Sequence, residues 1–220
     1  MRIYILFAIF VLSTFAYAQT KPETDLNNLR SAKGDTLSSP KLPKLKLKFG
    51  KAFKYAGGHT FILYDVARAE QHFYVDADKD GNVSRLYWIQ FEGYLPSNKH
   101  AYDYKSPKTV KIGGLDFFAD AAPRKVVPGQ GRPDSDTNKG REFLSSKGYK
   151  MASDEVMMQR LVALVTPDNR TELIIVYIEV LTPTGFAAAD LNEGGKAADK
   201  WSSIADALLQ RAQKGMEIVR

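Results

Sequence analysis

Two segments, Val156 to Val165 and Leu173 to Leu181, are apolar on both faces and flank Pro167-Asp168-Asn169-Arg170, a type I turn sequence. A strand pair with no polar face cannot stand open to water, so both of its faces need cover. With Asp168 and Asn169 central, Ala163 faces Ile174, Leu161 faces Val176 and Gln159 faces Ile178. That register makes Arg160 and Glu179 diagonal neighbours on one face, with Tyr177 between them. A buried ion pair is the expected outcome, because an unpaired buried charge is very costly. The alternative is a binding cluster of Arg160, Tyr177 and Glu179 facing a ligand at the mouth of a sheet, with Trp88 as a further binding candidate.

Cover for one face is legible further on. Trp201, Ile204, Ala205, Leu208 and Ala212 recur at helical spacing between Lys196 and Lys214, and Gly215 ends the pattern. A shorter helix, capped by Asp134 or Ser135 and ended by Gly148, carries Phe143 and Leu144. Elsewhere the period is two. Leu45, Leu47 and Phe49 alternate with Lys44, Lys46 and Lys48, Phe53 and Tyr55 continue them, and Thr60 to Tyr64 and Thr109 to Asp120 read as strands. Lys79-Asp80-Gly81 closes a hairpin with Gly81 as a left-handed bulge. If Asp78 pairs with Asn82, Tyr74 faces Leu86 and His72 faces Trp88 on one side, and Val75 meets Arg85 and Phe73 meets Tyr87 on the other. No βαβ alternation repeats. The expected fold class is therefore α+β: a mainly antiparallel β-sheet built from hairpins, packed against a C-terminal amphipathic helix, with one short additional helix.

The beginning of the chain has a separate purpose. Arg2 is the only charge before an apolar run from Ile3 to Phe15, and Ala16-Tyr17-Ala18 precedes polar Gln19-Thr20. This is the n-region, h-region and small-x-small site of a secretory signal peptide, with cleavage expected near Ala18-Gln19. The expected organisation is a signal peptide over 1–18, a flexible tether over 19–43 and a single α+β domain over 44–220. The expected location is the periplasm or the exterior of a bacterium. No later apolar run is long enough to span a bilayer, so no integral membrane segment is expected after cleavage. The chain has no cysteine, so the fold has no disulfide although its compartment allows them. The formal charge of +6 includes Arg2, and the modest excess fits anionic surfaces without implying specific nucleic-acid binding.

Candidate chemistry is sparse. Asp76, Asp78 and Asp80 precede Gly81 in the spacing of a calcium loop, but Tyr87 stands where a bidentate glutamate belongs, so an acidic hairpin and no metal is the expected reading. Glu70 and His72 share a strand face and His59 begins the neighbouring strand, which suggests an acid–base or metal site, with Glu92 as a further carboxylate. The plainer expectation is that His72 stacks on Trp88. Lys41, Lys44, Lys46, Lys48, Lys51 and Lys54 form the densest basic run. Lysines that guard an edge strand explain it, and an anion-docking stripe is the rival. Nucleophile-elbow, phosphate-loop, CxxC and dinucleotide signatures are missing, so no cofactor is expected. The sequence reading is a non-catalytic binding module for a small molecule, lipid or envelope partner. Its alternatives are a small hydrolase using Glu70 and His72, and a peripheral factor docking through Lys41 to Lys54.

Overall fold

The computed structural model describes residues 26–106 and 108–220, so the expected leader and the first part of the tether lie outside the described residues. Strands β1 (Ser31–Lys33), β2 (Thr36–Ser39), β3 (Leu45–Phe49), β4 (Lys54–Leu63), β5 (Ala67–Ala77), β6 (Asn82–Tyr94), β7 (Thr109–Ile112) and β8 (Leu115–Lys125) come first. Helix α1 (Asp136–Ser146), strands β9 (Lys150–Met151), β10 (Glu155–Leu164) and β11 (Thr171–Val180), helices α2 (Ala188–Leu191) and α3 (Trp201–Lys214), and strand β12 (Met216–Val219) follow. The fold is α+β and mainly antiparallel, as expected.

Two sheets form. The large one runs β4-β5-β6-β11-β10-β8-β7, with β9 added in parallel to β6. The small one runs β1-β2-β3-β12. Alternation sorts the large sheet into two faces. One face carries Tyr74, Tyr87, Ile89, Phe91, Leu173, Ile175, Tyr177, Leu161 and Phe117, and packs into one core with Leu37, Leu45, Leu47 and Phe49 of the small sheet and Leu208 and Ala212 of α3. Phe49 stacks on Tyr74 at 3.9 Å, and the Tyr87 hydroxyl donates to the Ala212 carbonyl at 2.7 Å, fixing α3 over the sheet. The other face carries Phe73, Leu86, Trp88 and Val176 and packs against Phe143 and Leu144 of α1. Both faces of the β10–β11 pair are thus involved in packing. Ser135 caps α1 by accepting from the Asn138 N–H.

Several expectations need correction. Residues 31–39 are not tether: Leu37 lies opposite Leu47 and is fully buried, so β1 and β2 complete the small sheet. β3 is not an edge strand, since β2 and β12 flank it. Both hairpin registers differ by one residue. A bulge between Asp76 and Ala77 places Tyr74 opposite Tyr87, Phe73 opposite Trp88 and His72 opposite Ile89. In the second hairpin Asn169 adopts a left-handed φ of 54°, which adds a residue to the turn and sets Leu161 opposite Ile175 and Gln159 opposite Tyr177. A one-residue slip exchanges faces. It moves His72 and Trp88 to opposite faces and separates Arg160 from Glu179.

Candidate functional site

Glu70 is the best-connected polar side chain inside the fold. It points from β5 toward the core face and has no solvent exposure. Its carboxylate accepts from the backbone N–H groups of Leu29 (3.0 Å) and Arg30 (2.8 Å), from the Arg30 guanidinium (3.1 Å), from Arg68 (3.4 Å) and from His72 Nε2 (2.9 Å). A carboxylate only accepts, so Nε2 carries the hydrogen and Nδ1 receives the Tyr55 hydroxyl, at 2.8 Å. Burial alone would raise the Glu70 pKa. The His72, Leu29 and Arg30 hydrogen bonds and the Arg30 charge outweigh it and bring the pKa down to about 2.

The Glu70–His72 pair expected from sequence therefore exists, but His59 does not join it. Gly58, not His59, lies opposite His72, and the close approach of the His72 ring leaves no room for a Cβ at Gly58. His59 faces the other side, stacks on Phe143 and donates to Gln71 Oε1 at 2.8 Å. Neither cleft described below is lined by Glu70, His72 or Tyr55. The trio acts as a latch: Glu70 orients Arg30, and Arg30 Nη2 in turn donates to the carbonyls of Lys41 (3.1 Å) and Leu42 (2.8 Å).

A second polar system lies on the α1 face. Gln71 donates to Gln90 (2.8 Å), Gln90 to Glu92 (2.5 Å), and Tyr102 also donates to Glu92 (2.8 Å). Glu172 stands opposite Glu92 across β6 and β11, with one carboxylate oxygen buried and unpartnered. Burial first, and then the Glu92 charge, push Glu172 up to about 8, against a hydrogen bond from Tyr104 and the charge of Arg160. Burial also raises Glu92. Of these residues sequence reasoning singled out Glu92, Arg160 and, through its bond to Gln71, His59. The missed signal is the row of glutamines and glutamates that interrupts strands otherwise apolar on both faces.

The remaining sequence candidates disperse. Arg160 pairs with Asp120 (2.8 Å), while Glu179 pairs with Arg211 of α3 (2.9 Å) and accepts from Tyr177. The expected Arg160–Glu179 pair is thus replaced by two others on opposite faces. Trp88 donates to Gln90 at 3.2 Å instead of stacking on His72. Asp76 binds Arg85, Asp78 accepts from the backbone N–H groups of Asp80 and Asn82, and Asp80 pairs with Lys79. The three carboxylates serve the hairpin. Among the described residues no group of three His, Asp or Glu side chains is arranged to hold a metal.

The lysines form a coherent surface instead. Lys46 and Lys48 point outward from β3, Lys44 continues the alternation just before it, and Lys33 reaches the same outer face through β1, because Lys33 lies opposite Thr36 and Thr36 opposite Lys48. All four are exposed. Glu217, opposite Lys48, is the one carboxylate on the strands of this face among the described residues. Lys41, Lys51 and Lys54 are exposed but leave this array, Lys41 to the β2–β3 turn, Lys51 to the turn after β3 and Lys54 to β4.

Two clefts flank the small sheet. One of about 530 Å³ lies among Phe49, Ile112, Gly113 and residues 213–218. The other, of about 330 Å³, is bounded by Arg30, Lys41, Leu42, Arg68, Phe91 and Tyr94. No helix among the described residues is long and apolar enough to cross a membrane. Comparison with protein-family models, with curated proteins and with solved structures finds no match for this chain.

Proposed function

We propose that this chain is an exported, non-catalytic binding module of the bacterial envelope that docks on anionic phospholipid through the outer face of its small sheet. The observation that carries the reading is the placement of Lys33, Lys44, Lys46 and Lys48 on one open sheet face, with Lys46 and Lys48 on the interior strand β3, Lys44 just before it and Lys33 on the edge strand β1. Edge protection no longer explains the lysines of β3, because β3 has a neighbour on each side. Residues i and i+2 of a strand lie about 6.7 Å apart, so Lys44, Lys46 and Lys48 make a spaced row of positive charge suited to a surface rather than to one small ligand. Export is supported by the Arg2, apolar run and Ala-x-Ala pattern at the start of the chain. The hydrolase reading loses support, because the Glu70 carboxylate is saturated with donors and buried with His72.

The expected strength is modest. A lysine near an anionic membrane contributes about 1 kcal/mol. Four lysines opposed by Glu217 then give roughly 3–4 kcal/mol, a contact of about millimolar strength that salt weakens. Co-sedimentation with vesicles tests it. The protein should pellet with phosphatidylglycerol vesicles at about 0.05 M salt, remain in solution with phosphatidylcholine vesicles, and be released at about 0.5 M salt, where screening is short-ranged. The double variant Lys46→Glu/Lys48→Glu should not pellet, whereas Lys147→Glu/Lys150→Glu should behave as wild type. Equal binding by the first double variant, or equal binding to both lipids, refutes the proposal.

A further inference from the structure

We infer that the 330 Å³ cleft between Leu42 and Tyr94 binds the acyl chain of a single-chain anionic amphiphile, a medium-chain fatty acid in chemical class, with Lys41 at its headgroup. The inference goes beyond surface docking and uses a different part of the molecule. The cleft lies where the start of β5, the end of β6 and the start of β11 meet the β2–β3 turn. Its apolar lining comes from Leu29, Leu42, Phe91, Tyr94, Leu95 and Pro96. Its volume sits at the low end for ligand sites, room for one chain rather than a two-chain lipid.

Three observations converge on an apolar ligand with a negative end. The first is exposure. Leu29 is 49% and Leu42 is 48% exposed, and both belong to the rim of this one cleft. Large aliphatic side chains presented together to water mark a binding surface more often than scattered ones do. The second is backbone strain. Leu42 has a φ of 53°, a conformation unfavourable for a branched side chain and kept only where the surroundings enforce it. The enforcement is visible: Arg30, ordered by Glu70, donates to the Leu42 carbonyl at 2.8 Å and to the Lys41 carbonyl at 3.1 Å. The third is charge. Lys41, Arg30 and Arg68 line the cleft, and the carboxylate facing them from the core, Glu70, is fully buried. Glu92, also on the lining, turns its carboxylate to Gln90 and Tyr102 on the other side of the sheet. Arg30 is committed to Glu70, Ser39 and the two turn carbonyls, and its guanidinium lies 4.1 Å from the Phe91 ring. Lys41, exposed at the rim, is left to meet the headgroup.

Titration calorimetry on the purified protein with hexanoate, octanoate and decanoate, each below its micelle concentration, tests this. Each two-carbon extension should tighten binding about tenfold until the cleft is filled. Decyltrimethylammonium should bind at least about tenfold more weakly than decanoate. Leu42→Gly, which suits the left-handed φ and should fold normally, should weaken decanoate about tenfold. Lys41→Glu should weaken decanoate at least as much and leave decyltrimethylammonium no weaker. The Lys46→Glu/Lys48→Glu variant should bind decanoate as wild type does, so failure of vesicle docking and failure of this inference are separable. No binding at millimolar decanoate, affinity independent of chain length, equal affinity for the cationic amphiphile, or indifference to Leu42→Gly overturns it.

Discussion

Glu70 shows how one buried carboxylate can organise surroundings that it does not itself reach. It fastens Leu29 and Arg30 to the large sheet, and Arg30 sets the turn before β3. The Glu70 pKa of about 2 lies below the ordinary 4.5, so its stabilisation is present above pH 4.5 and is lost as pH falls toward 2. The shift corresponds to roughly 3 kcal/mol. Glu70→Gln should therefore lose about that much stability at neutral pH and lose no more between pH 4.5 and 2, a result that urea midpoints across that range would check. Tyr74 is the opposite case. Its hydroxyl is buried without a partner, so Tyr74→Phe should leave stability unchanged or raise it by up to about 1 kcal/mol. A loss of more than about 1 kcal/mol in thermal melts would show that the hydroxyl has a partner that matters.

At the scale of elements, β6 and β11 place Glu92 and Glu172 opposite each other in a dry setting. Glu172, raised to about 8, favours the protonated folded state. Its contribution is present below pH 4.5 and is lost as pH rises toward 8. Glu172→Gln mimics the protonated form and should stabilise the protein by about 1–3 kcal/mol at pH 8, with little effect at pH 5. Equal effects at both pH values would contradict the assignment. The same strands show what the sequence made legible. Strand periodicity, the hairpin turns and the spacing of Trp201, Ile204 and Leu208 were enough for the class of fold and the helix over the core. Faces were not legible, because one residue at the Asp76/Ala77 bulge and one at Asn169 reverse them. The Glu70–His72 contact survived, since i and i+2 share a face whatever the register. The Arg160–Glu179 pair did not, since it depended on the turn. Arg30 was hidden for another reason: a polar segment reads as tether until a buried partner 40 residues away is known.

For the whole molecule the two carboxylates act in opposition. Acid titrates Glu70 and removes support below pH 4.5, and base ionises Glu172 and removes support on the way to pH 8. Thermal stability should therefore peak near pH 5, and a melting temperature that rises steadily from pH 5 to 8 would speak against that balance. The two sheets divide the labour. The large sheet, packed on both faces, is scaffold, and the small sheet turns its apolar side to the core and its lysines outward. Docking through that outward side is the central claim, and lysine footprinting tests it most directly. Acetylation rates are measured by mass spectrometry with and without phosphatidylglycerol vesicles. The account predicts protection of Lys33, Lys44, Lys46 and Lys48 with Lys139, Lys147 and Lys150 unchanged; uniform protection, or protection confined to the α1 side, would contradict it.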